Sequence, residues 1–112
     1  MPDVFQILAD PTRRRLVDAL RTGERSVNEL VDVVDIGQPG VSRQLGILEE
    51  ARFVVVRPEG RRRLYALRPE PFRELDEWMM GYRGMWEARL DRFAAELDRR
   101  GRTRAKNKED EK

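Results

Sequence analysis

Two groups of side chains in this sequence have the chemistry that nucleic-acid contacts require. The first group consists of short or forked hydrogen-bonding side chains around a glycine: Gln38, Gly40, Ser42, Arg43 and Gln44. Glutamine pairs well with the edge of adenine, and arginine pairs with guanine or with a phosphate. The second group consists of closely spaced arginines: Arg57, Arg61, Arg62 and Arg63. Both groups suit DNA if the fold presents them on one surface.

The first group belongs to the second of two short helical patterns within residues 26–51. Ser26 and Glu29 have the spacing of a capping box, so a helix is predicted to begin there. The apolar residues that follow recur at helical spacing as far as Val34. Gly37 then predicts a sharp turn, because glycine adopts the left-handed conformation at little cost.

The second helix is predicted to begin at Gln38-Pro39, since proline is tolerated in the first turn of a helix. Its apolar stripe consists of Val41, Leu45 and Leu48. The first group of side chains is therefore predicted to lie on the opposite, exposed face of a helix-turn-helix. Every amphipathic helix has a polar face, so this pattern alone leaves a purely structural helix open.

The arginines of the second group belong to a predicted β-hairpin. Residues 52–56 are β-branched or aromatic in character, Pro58-Glu59-Gly60 predicts a tight reversal, and residues 64–67 predict the second strand. Charged residues also protect edge strands from pairing with other chains, but four arginines exceed that need. The hairpin is therefore predicted to contact the DNA backbone or a narrow minor groove.

Together these motifs resemble the ArsR-type winged-helix repressors of bacteria. The matching segments are Asp10 to Leu16, Ser26 to Leu30, Gln38 to Leu45 and Arg61 to Leu67. The resemblance covers the region from about residue 3 to residue 98. It implies a mainly α fold with a small β-hairpin, a winged helix-turn-helix that dimerises through a long C-terminal helix and the N-terminal helix. The helix from Gln38 would be the recognition helix, which enters the major groove, and the hairpin would be the wing beside it.

Three positions depart from the family's usual residues. The family usually has serine at Gly37, threonine at Gly40, and histidine or arginine at Gln44. We therefore expect one base contact to be missing at Gly40. The operator sequence of a relative cannot be transferred to this chain.

The sequence contains no cysteine and no histidine. Thiolate nucleophiles, histidine bases, disulfides and the usual zinc ligand sets are therefore excluded. The metal-sensing relatives that this chain resembles use such ligands, so a branch without a metal site or other cofactor is predicted. Carboxylates on the last helix leave a site for a hard cation open, although a solvated face explains them better. They are Asp76, Glu77, Glu87, Asp91 and Glu96.

Asp10 and Pro11 predict a helix whose early turns carry Arg13, Arg14 and Arg15. Phosphate contact is one use for these arginines, and simple exposure to solvent is the favoured one. They are therefore not assigned to the DNA site.

A long helix is predicted from Phe72 to about Asp98, with an apolar seam too long for one small core. The seam could line a ligand pocket, but helix packing is the commoner use of such spacing, and tryptophan suits a buried interface. We assign the seam and part of the N-terminal helix to a homodimer interface. The predicted interface residues are Val4, Phe5, Leu8, Leu75, Trp78, Met79, Tyr82, Trp86, Leu90 and Phe93.

Gly81 and Gly84 interrupt this helix pattern, each at a cost of about 1 kcal/mol relative to alanine. Close approach of two helices at the two-fold axis and a kink or hinge both explain them. The sequence leaves the two explanations open.

Charge and composition divide the chain into a predicted domain at residues 1–98 and a disordered tail at residues 99–112. The tail has a net charge of +4 and no large apolar residue, whereas residues 1–98 have a net charge of −2. Within the domain, residues 36–68 contain seven arginines and three acidic residues, which predicts a basic stripe on the DNA-facing surface. The longest apolar run is far too short to span a membrane and the N-terminus lacks a signal-peptide pattern, so a cytoplasmic protein is expected.

These observations predict a sequence-specific DNA-binding transcriptional regulator, a homodimeric repressor that binds an inverted-repeat operator without metal. The alternative is a winged-helix dimer that acts mainly as a protein-interaction module, with weak or non-specific DNA binding. No constellation suggests an enzyme. A small-molecule effector between the long helices is compatible with the sequence but is not indicated by it.

Overall fold

The computed structural model describes residues 3–110, and the side chains of residues 3–102. Its elements in chain order are α1 Val4–Leu8, α2 Pro11–Leu20, β1 Arg25–Ser26, α3 Val27–Val31, α4 Gly37–Glu50, β2 Val54–Glu59, β3 Arg62–Leu67 and α5 Glu70–Asp110. The chain divides into two units, one ending at Leu75 and one beginning at Asp76. The predicted fold class, mainly α with a small β component, is confirmed.

Three polar residues begin the first three helices. The Asp3 carboxylate accepts a hydrogen bond from the Gln6 amide at 2.8 Å, and the Gln6 side chain accepts one from the Asp3 amide at 2.9 Å. Asp10 accepts from the amide of Thr12 at 2.7 Å, and Pro11 follows as the first helical residue. Ser26 and Glu29 form the predicted capping box that starts α3. These caps pair amide groups that the helices themselves leave without acceptors.

The core of the first unit contains apolar side chains from every helix and from the sheet. Leu16, Leu30 and Leu45 have no exposed surface. The ring of Phe53, which follows α4, meets that of Phe72 at the start of α5 edge to face, with centroids 6.0 Å apart. The core therefore connects the helix-turn-helix, the sheet and the first turn of α5.

The sheet has three antiparallel strands in the order β1-β3-β2. The sequence predicted only the two strands of the hairpin, β2 and β3. The missed strand, β1, is only two residues long and pairs Arg25 with Tyr65. The hairpin strands are also longer than predicted, because pairing continues to Glu59 and Arg62. The turn is therefore Gly60-Arg61, not Pro58-Glu59-Gly60, and Gly60 has a φ of +61°. Pro58 remains within β2 because β2 is an edge strand.

Helix α5 continues to Asp110, so the helix end predicted near Asp98 is wrong. Residues 99–110, expected to be disordered, are helical, while Glu111 and Lys112 lie outside the described residues. The physical reason is that arginine, lysine and alanine are strong helix formers, so a segment without large apolar residues can still extend a helix that has already begun. The treatment of residues 1–98 as one domain stays a prediction. No helix within the described residues combines the length and apolar character needed to span a bilayer.

Helix α4 ends in a Schellman motif with an unusual residue in the left-handed position. The Phe53 amide donates to the Leu48 carbonyl at 2.8 Å, and the Arg52 amide donates to the Glu49 carbonyl at 3.0 Å. Arg52 has a φ of +62°, the only positive φ outside glycine among the described residues. Glycine usually occupies this position, because a Cβ atom there costs free energy.

Replacement of Arg52 by glycine is therefore expected to raise the free energy of unfolding, measured by urea denaturation, by about 0.5–1 kcal/mol. The gain in stability is smaller than the free energy of the left-handed strain that is removed. Glycine also increases the conformational entropy of the unfolded chain, which opposes folding. Arg52→Ala is the matched control, since alanine removes the same side chain but retains the Cβ atom. Equal stability of the two variants would show that the Arg52 backbone is unstrained.

Candidate nucleic-acid interface

Helix α4 turns one face into the core and the other face outward. Gly37, with a φ of +71°, forms the predicted left-handed turn, and α4 begins there with Ile36 as its N-cap. Val41, Leu45 and Leu48 are completely buried. The exposed face contains three of the predicted DNA-contacting residues, Gln38, Ser42 and Arg43, with Gly40 partly exposed beside them. Their contacts with DNA stay a prediction.

Gln44 does not lie on that exposed face, so its predicted placement is wrong. Gln44 is only 9% exposed, and its side-chain oxygen accepts a hydrogen bond from Arg13 Nη1 at 3.1 Å. The error has a geometric cause, since Gln44 is three residues after Val41 and therefore points towards the same side of the helix. A polar residue within the buried stripe was mistaken for part of the polar face.

The side chain of Arg13 is also more buried than predicted, at 16% exposure. Its Nε donates to the carbonyl of Ile7 at 2.8 Å and its Nη2 to the carbonyl of Gln6 at 3.3 Å. The same guanidinium therefore binds the last turn of α1 and the inner side of α4. This arrangement differs from the solvated charge run expected for Arg13, Arg14 and Arg15, although Arg14 and Arg15 are exposed.

Asp10 supports Arg13 at the start of α2. One of its carboxylate oxygens lies 3.5 Å from Arg13 Nη1, and the other accepts from the amides of Thr12 and Arg13. Desolvation would raise the pKa of Asp10, but these amide hydrogen bonds and the nearby guanidinium together hold it below its usual value. Asp10 is therefore a helix cap and a partner of Arg13 at once.

The start of α4 and the hairpin border one polar cleft of about 200 Å³. Its lining residues come from the start of α3, the start of α4 and strand β3 with its turn: Ser26, Val27, Asn28, Gln38, Arg61, Arg62 and Arg63. The structure thus places Gln38, from the first predicted group, beside three arginines of the second group. Asn28 was not predicted, since a single exposed asparagine in a short helix has no distinctive sequence signal.

The four hairpin arginines differ in their partners. Arg57 is held by Glu24, with Nε 2.9 Å and Nη2 2.5 Å from the two carboxylate oxygens. This hydrogen bond raises the pKa of Arg57 and lowers that of Glu24. Arg62 lies 3.2 Å from Glu59 and 4.0 Å from Glu29. An arginine that already faces a carboxylate contributes less net positive charge to an approaching phosphate.

Arg61 and Arg63 have a different environment. Both are exposed, and no carboxylate among the described side chains lies within ion-pairing distance of either. Arg61 occupies the turn itself, and Arg63 pairs with Pro58 across the hairpin. These two hairpin arginines are therefore exposed and, among the described residues, without a carboxylate partner.

Comparisons with known proteins agree with this geometry. The family described as "Helix-turn-helix domain" matches residues 8–57. A crystal structure of an ArsR family transcriptional regulator matches with a TM-score of 0.65 and 33% sequence identity, over 75% of this chain and 87% of that chain. This chain belongs to the ArsR family. It is therefore a transcriptional regulator of the winged helix-turn-helix type, and not an enzyme.

Two curated relatives are also transcriptional regulators. The HTH-type transcriptional regulator Rv2034 of Mycobacterium tuberculosis is 45% identical over 69 residues, which cover 61% of this chain and 64% of that protein. The transcriptional repressor SdpR of Bacillus subtilis is 28% identical over 73% of this chain and 91% of its own length. The match thus spans less than two thirds of the Mycobacterium protein and most of the Bacillus repressor.

Removal of the Arg13 side chain is expected to lower the free energy of unfolding by about 2–3 kcal/mol, because Gln44 and the Ile7 carbonyl would lose their donor in a partly buried region. Thermal or urea denaturation of Arg13→Ala measures the change. Arg14→Ala is the matched control on the same helix, and as an exposed residue it should change stability by less than about 0.5 kcal/mol. Equal effects of the two substitutions would mean that the hydrogen bonds of Arg13 contribute nothing net to stability.

Proposed function

We propose that this ArsR family regulator is a homodimeric repressor that binds an inverted-repeat operator and needs no metal ion to do so. The observation that supports it best is the pairing of an exposed α4 face with an arginine-bordered cleft beside it. An α-helix fits the major groove of B-DNA, and an adjacent hairpin then reaches the neighbouring backbone or minor groove.

In this arrangement Arg43 is the principal base-contacting residue of α4. It is exposed, and it lies one turn after Pro39 on the side directly away from the core. Ser42 is exposed beside it, and Gln38 borders the arginine cleft. Arginine forms two parallel hydrogen bonds with guanine, so it provides more discrimination than the serine hydroxyl.

The wing residues contribute affinity more than sequence preference. Arg61 and Arg63 are exposed and have no carboxylate partner among the described side chains, so each can neutralise a phosphate and release bound counterions. Arg57 is already paired with Glu24, and we assign it a structural part in holding the hairpin. The wing contacts predicted for Arg57 and Arg62 are accordingly weaker than those of Arg61 and Arg63.

The dimer interface is proposed on the apolar seam of α5. Trp78, Met79, Tyr82 and Trp86 are each close to half exposed, and the rings of Trp78 and Tyr82 lie 5.0 Å apart. The seam continues through Leu90 and Phe93, which are exposed in one chain. Water-exposed apolar surface of this extent is costly, and a second copy of the same seam would bury it.

The first unit contributes less to the interface than predicted. Val4 is 5% exposed and belongs to the core of the single chain, so its assignment to the interface is wrong. Leu8 and Leu75 pack partly against the same core. The burial of Val4 and Leu8 follows from the amphipathic character of α1, whose inner side packs on α2. Phe5 is exposed on the outer side of α1 and stays a predicted interface residue.

Gly81 and Gly84 do not lie on the seam. Gly84 is nine residues from both Leu75 and Phe93, which is about two and a half helical turns and places it on the opposite face. A Cβ atom on Gly81 or Gly84 would meet no described atom within 4 Å, and the helix continues through both. Contact between glycines across the seam is therefore not the arrangement that we propose.

Independence from metal is proposed from the chemistry of the donors. The sequence has no cysteine or histidine, and among the described residues no group of three or more acidic side chains is placed to hold a metal ion. Carboxylates alone bind transition metals weakly compared with thiolates and imidazoles. A small-molecule effector remains compatible with this proposal.

Selection of bound sequences from random duplex DNA, without added metal, tests the proposal. The expected result is an inverted repeat with half-site centres about one helical turn apart. Arg43→Ala should weaken binding to that repeat about tenfold or more per half-site while non-specific binding is retained. Arg63→Ala should instead weaken binding to all sequences and reduce the salt dependence by about one phosphate contact per protomer.

Salt-sensitive binding without any enriched sequence would contradict a sequence-specific repressor. The protein-interaction alternative would then be the better account. Undiminished operator binding by Arg43→Ala would remove Arg43 from the interface while leaving the family assignment unchanged.

Trp86→Glu is expected to weaken the dimer at least about thirtyfold, because it places a charge in the middle of the apolar seam. Sedimentation velocity over a concentration series measures the change. Met80→Glu is the matched control, since Met80 is similarly exposed on α5 but lies about a third of a turn away from the seam. Monomerisation by Met80→Glu and not by Trp86→Glu would place the interface on another face of α5.

A further inference from the structure

Ile36 is an apolar residue in a place where a helix usually has a polar one. It is the N-cap of α4, has no side-chain capping hydrogen bond, and is 41% exposed. Serine, threonine, aspartate and asparagine are preferred there because they accept from the first amides of the helix. The local stability of α4 therefore does not explain an isoleucine at this position.

The side chain of Ile36 lies against Gly40. A Cβ atom on Gly40 would be 3.0 Å from Cδ1 of Ile36 and 3.1 Å from its Cβ and Cγ1 atoms. Such distances are shorter than normal carbon contacts, so the absence of a side chain at Gly40 is what allows this placement. Ile36 thus occupies the part of the α4 surface that a side chain at Gly40 would otherwise take.

Ile36 and Arg43 are on the same side of the recognition helix. The Ile36 side chain lies against Gly40, and Gly40 precedes Arg43 by three residues, or nearly one turn of the helix. Both are exposed, while the buried stripe of Val41, Leu45 and Leu48 faces the core. An element that presents Arg43 to base edges therefore presents Ile36 to the same groove, nearer the helix start.

We propose that Ile36 contacts the C5 methyl group of a thymine in each operator half-site and makes this regulator selective for thymine there. The proposal rests on the DNA binding proposed above. The thymine methyl is the apolar group that unmodified B-DNA exposes in the major groove, so it is the base feature that an isoleucine can recognise. The Ile36 side chain cannot form hydrogen bonds, so it gains nothing from contact with phosphates or with the hydrogen-bonding groups of the bases.

The surroundings of Ile36 favour a base over the DNA backbone. Asp35 directly precedes it and is exposed, so its carboxylate weakens the attraction of this helix end for a phosphate. The exposed arginines Arg61 and Arg63 provide backbone contacts from the hairpin instead. The proposed contact also gives α4 a substitute for the base contact that a side chain at Gly40 would make.

Replacement of single thymines by deoxyuridine in the selected operator tests the proposal, because this change removes one methyl group and leaves every hydrogen-bonding group in place. Wild-type protein should bind about fourfold more weakly when the contacted thymine is replaced in one half-site, and about fifteenfold more weakly when both are replaced. Replacement at the other thymines should have little effect. Equilibrium binding at fixed salt measures the ratio.

The Ile36→Ala variant identifies the side chain responsible. It should bind the thymine operator about as weakly as wild type binds the uracil operator, and it should no longer distinguish the two DNAs. Arg43→Ala should weaken binding but retain the full thymine-to-uracil ratio, since it removes a different contact. A ratio that persists in Ile36→Ala, or wild-type protein that shows no such ratio at any position, overturns the proposal.

Gly40→Ala is a second variant that does not remove the isoleucine. Its new methyl group would push the Ile36 side chain away by a few tenths of an ångström, so the thymine-to-uracil ratio should fall. Gly46→Ala is the matched control, because it makes the same substitution in α4 where no described atom lies within 4 Å. It should retain the wild-type ratio. An unchanged ratio in Gly40→Ala would contradict the proposed position of Ile36.

The outcomes separate this inference from the function on which it rests. If selection yields no operator, both proposals fall. If an inverted repeat is selected and Arg43→Ala binds it more weakly, but no thymine shows coupling to Ile36, only the thymine contact is refuted. Circular dichroism of each variant confirms that the affinity change is not a loss of folded protein.

Discussion

The burial of one face of α4 is the constraint on which the rest of this structure depends. Val41, Leu45 and Leu48 are completely removed from solvent, against α2, α3 and the sheet. Burial of three large side chains stabilises the fold by several kcal/mol in total. Because this face must point inward, Arg43 and Ser42 point outward, and the helix cannot rotate without exposing its apolar stripe.

The polar contacts around Arg13 add direction to that apolar packing. Hydrophobic contacts alone tolerate small rotations and shifts between helices, whereas hydrogen bonds require specific distances and angles. Arg13 binds the last turn of α1 and Gln44 on α4 with one rigid guanidinium group. Helix α1 and the recognition helix are thereby linked through Arg13 of α2.

Charge is distributed so that only part of it faces solvent unpaired. Glu24 binds Arg57, and Glu29 caps α3 while also lying near Arg25 and Arg62. The Ser26 amide and hydroxyl lower the pKa of the Glu29 carboxyl, so it remains ionised when it meets these arginines. The basic stripe counted from the sequence is therefore smaller in the folded protein, and among the described residues its unpaired charge lies at Arg43, Arg52, Arg61 and Arg63.

The sequence alone determined those features that depend on neighbours along the chain. The caps at Asp10 and Ser26, the turn at Gly37 and the apolar stripe of α4 follow from local hydrogen bonding and helical periodicity, and all were predicted correctly.

The tertiary structure decided the features that depend on residues far apart in sequence. Gln44 is buried because its partner is Arg13, and Arg57 is neutralised because β2 passes Glu24. Strand β1 exists because β3 supplies its hydrogen bonds, and two residues have no periodicity to detect. Ile36 belongs to the same class, since its position against Gly40 depends on a backbone turn that periodicity does not describe.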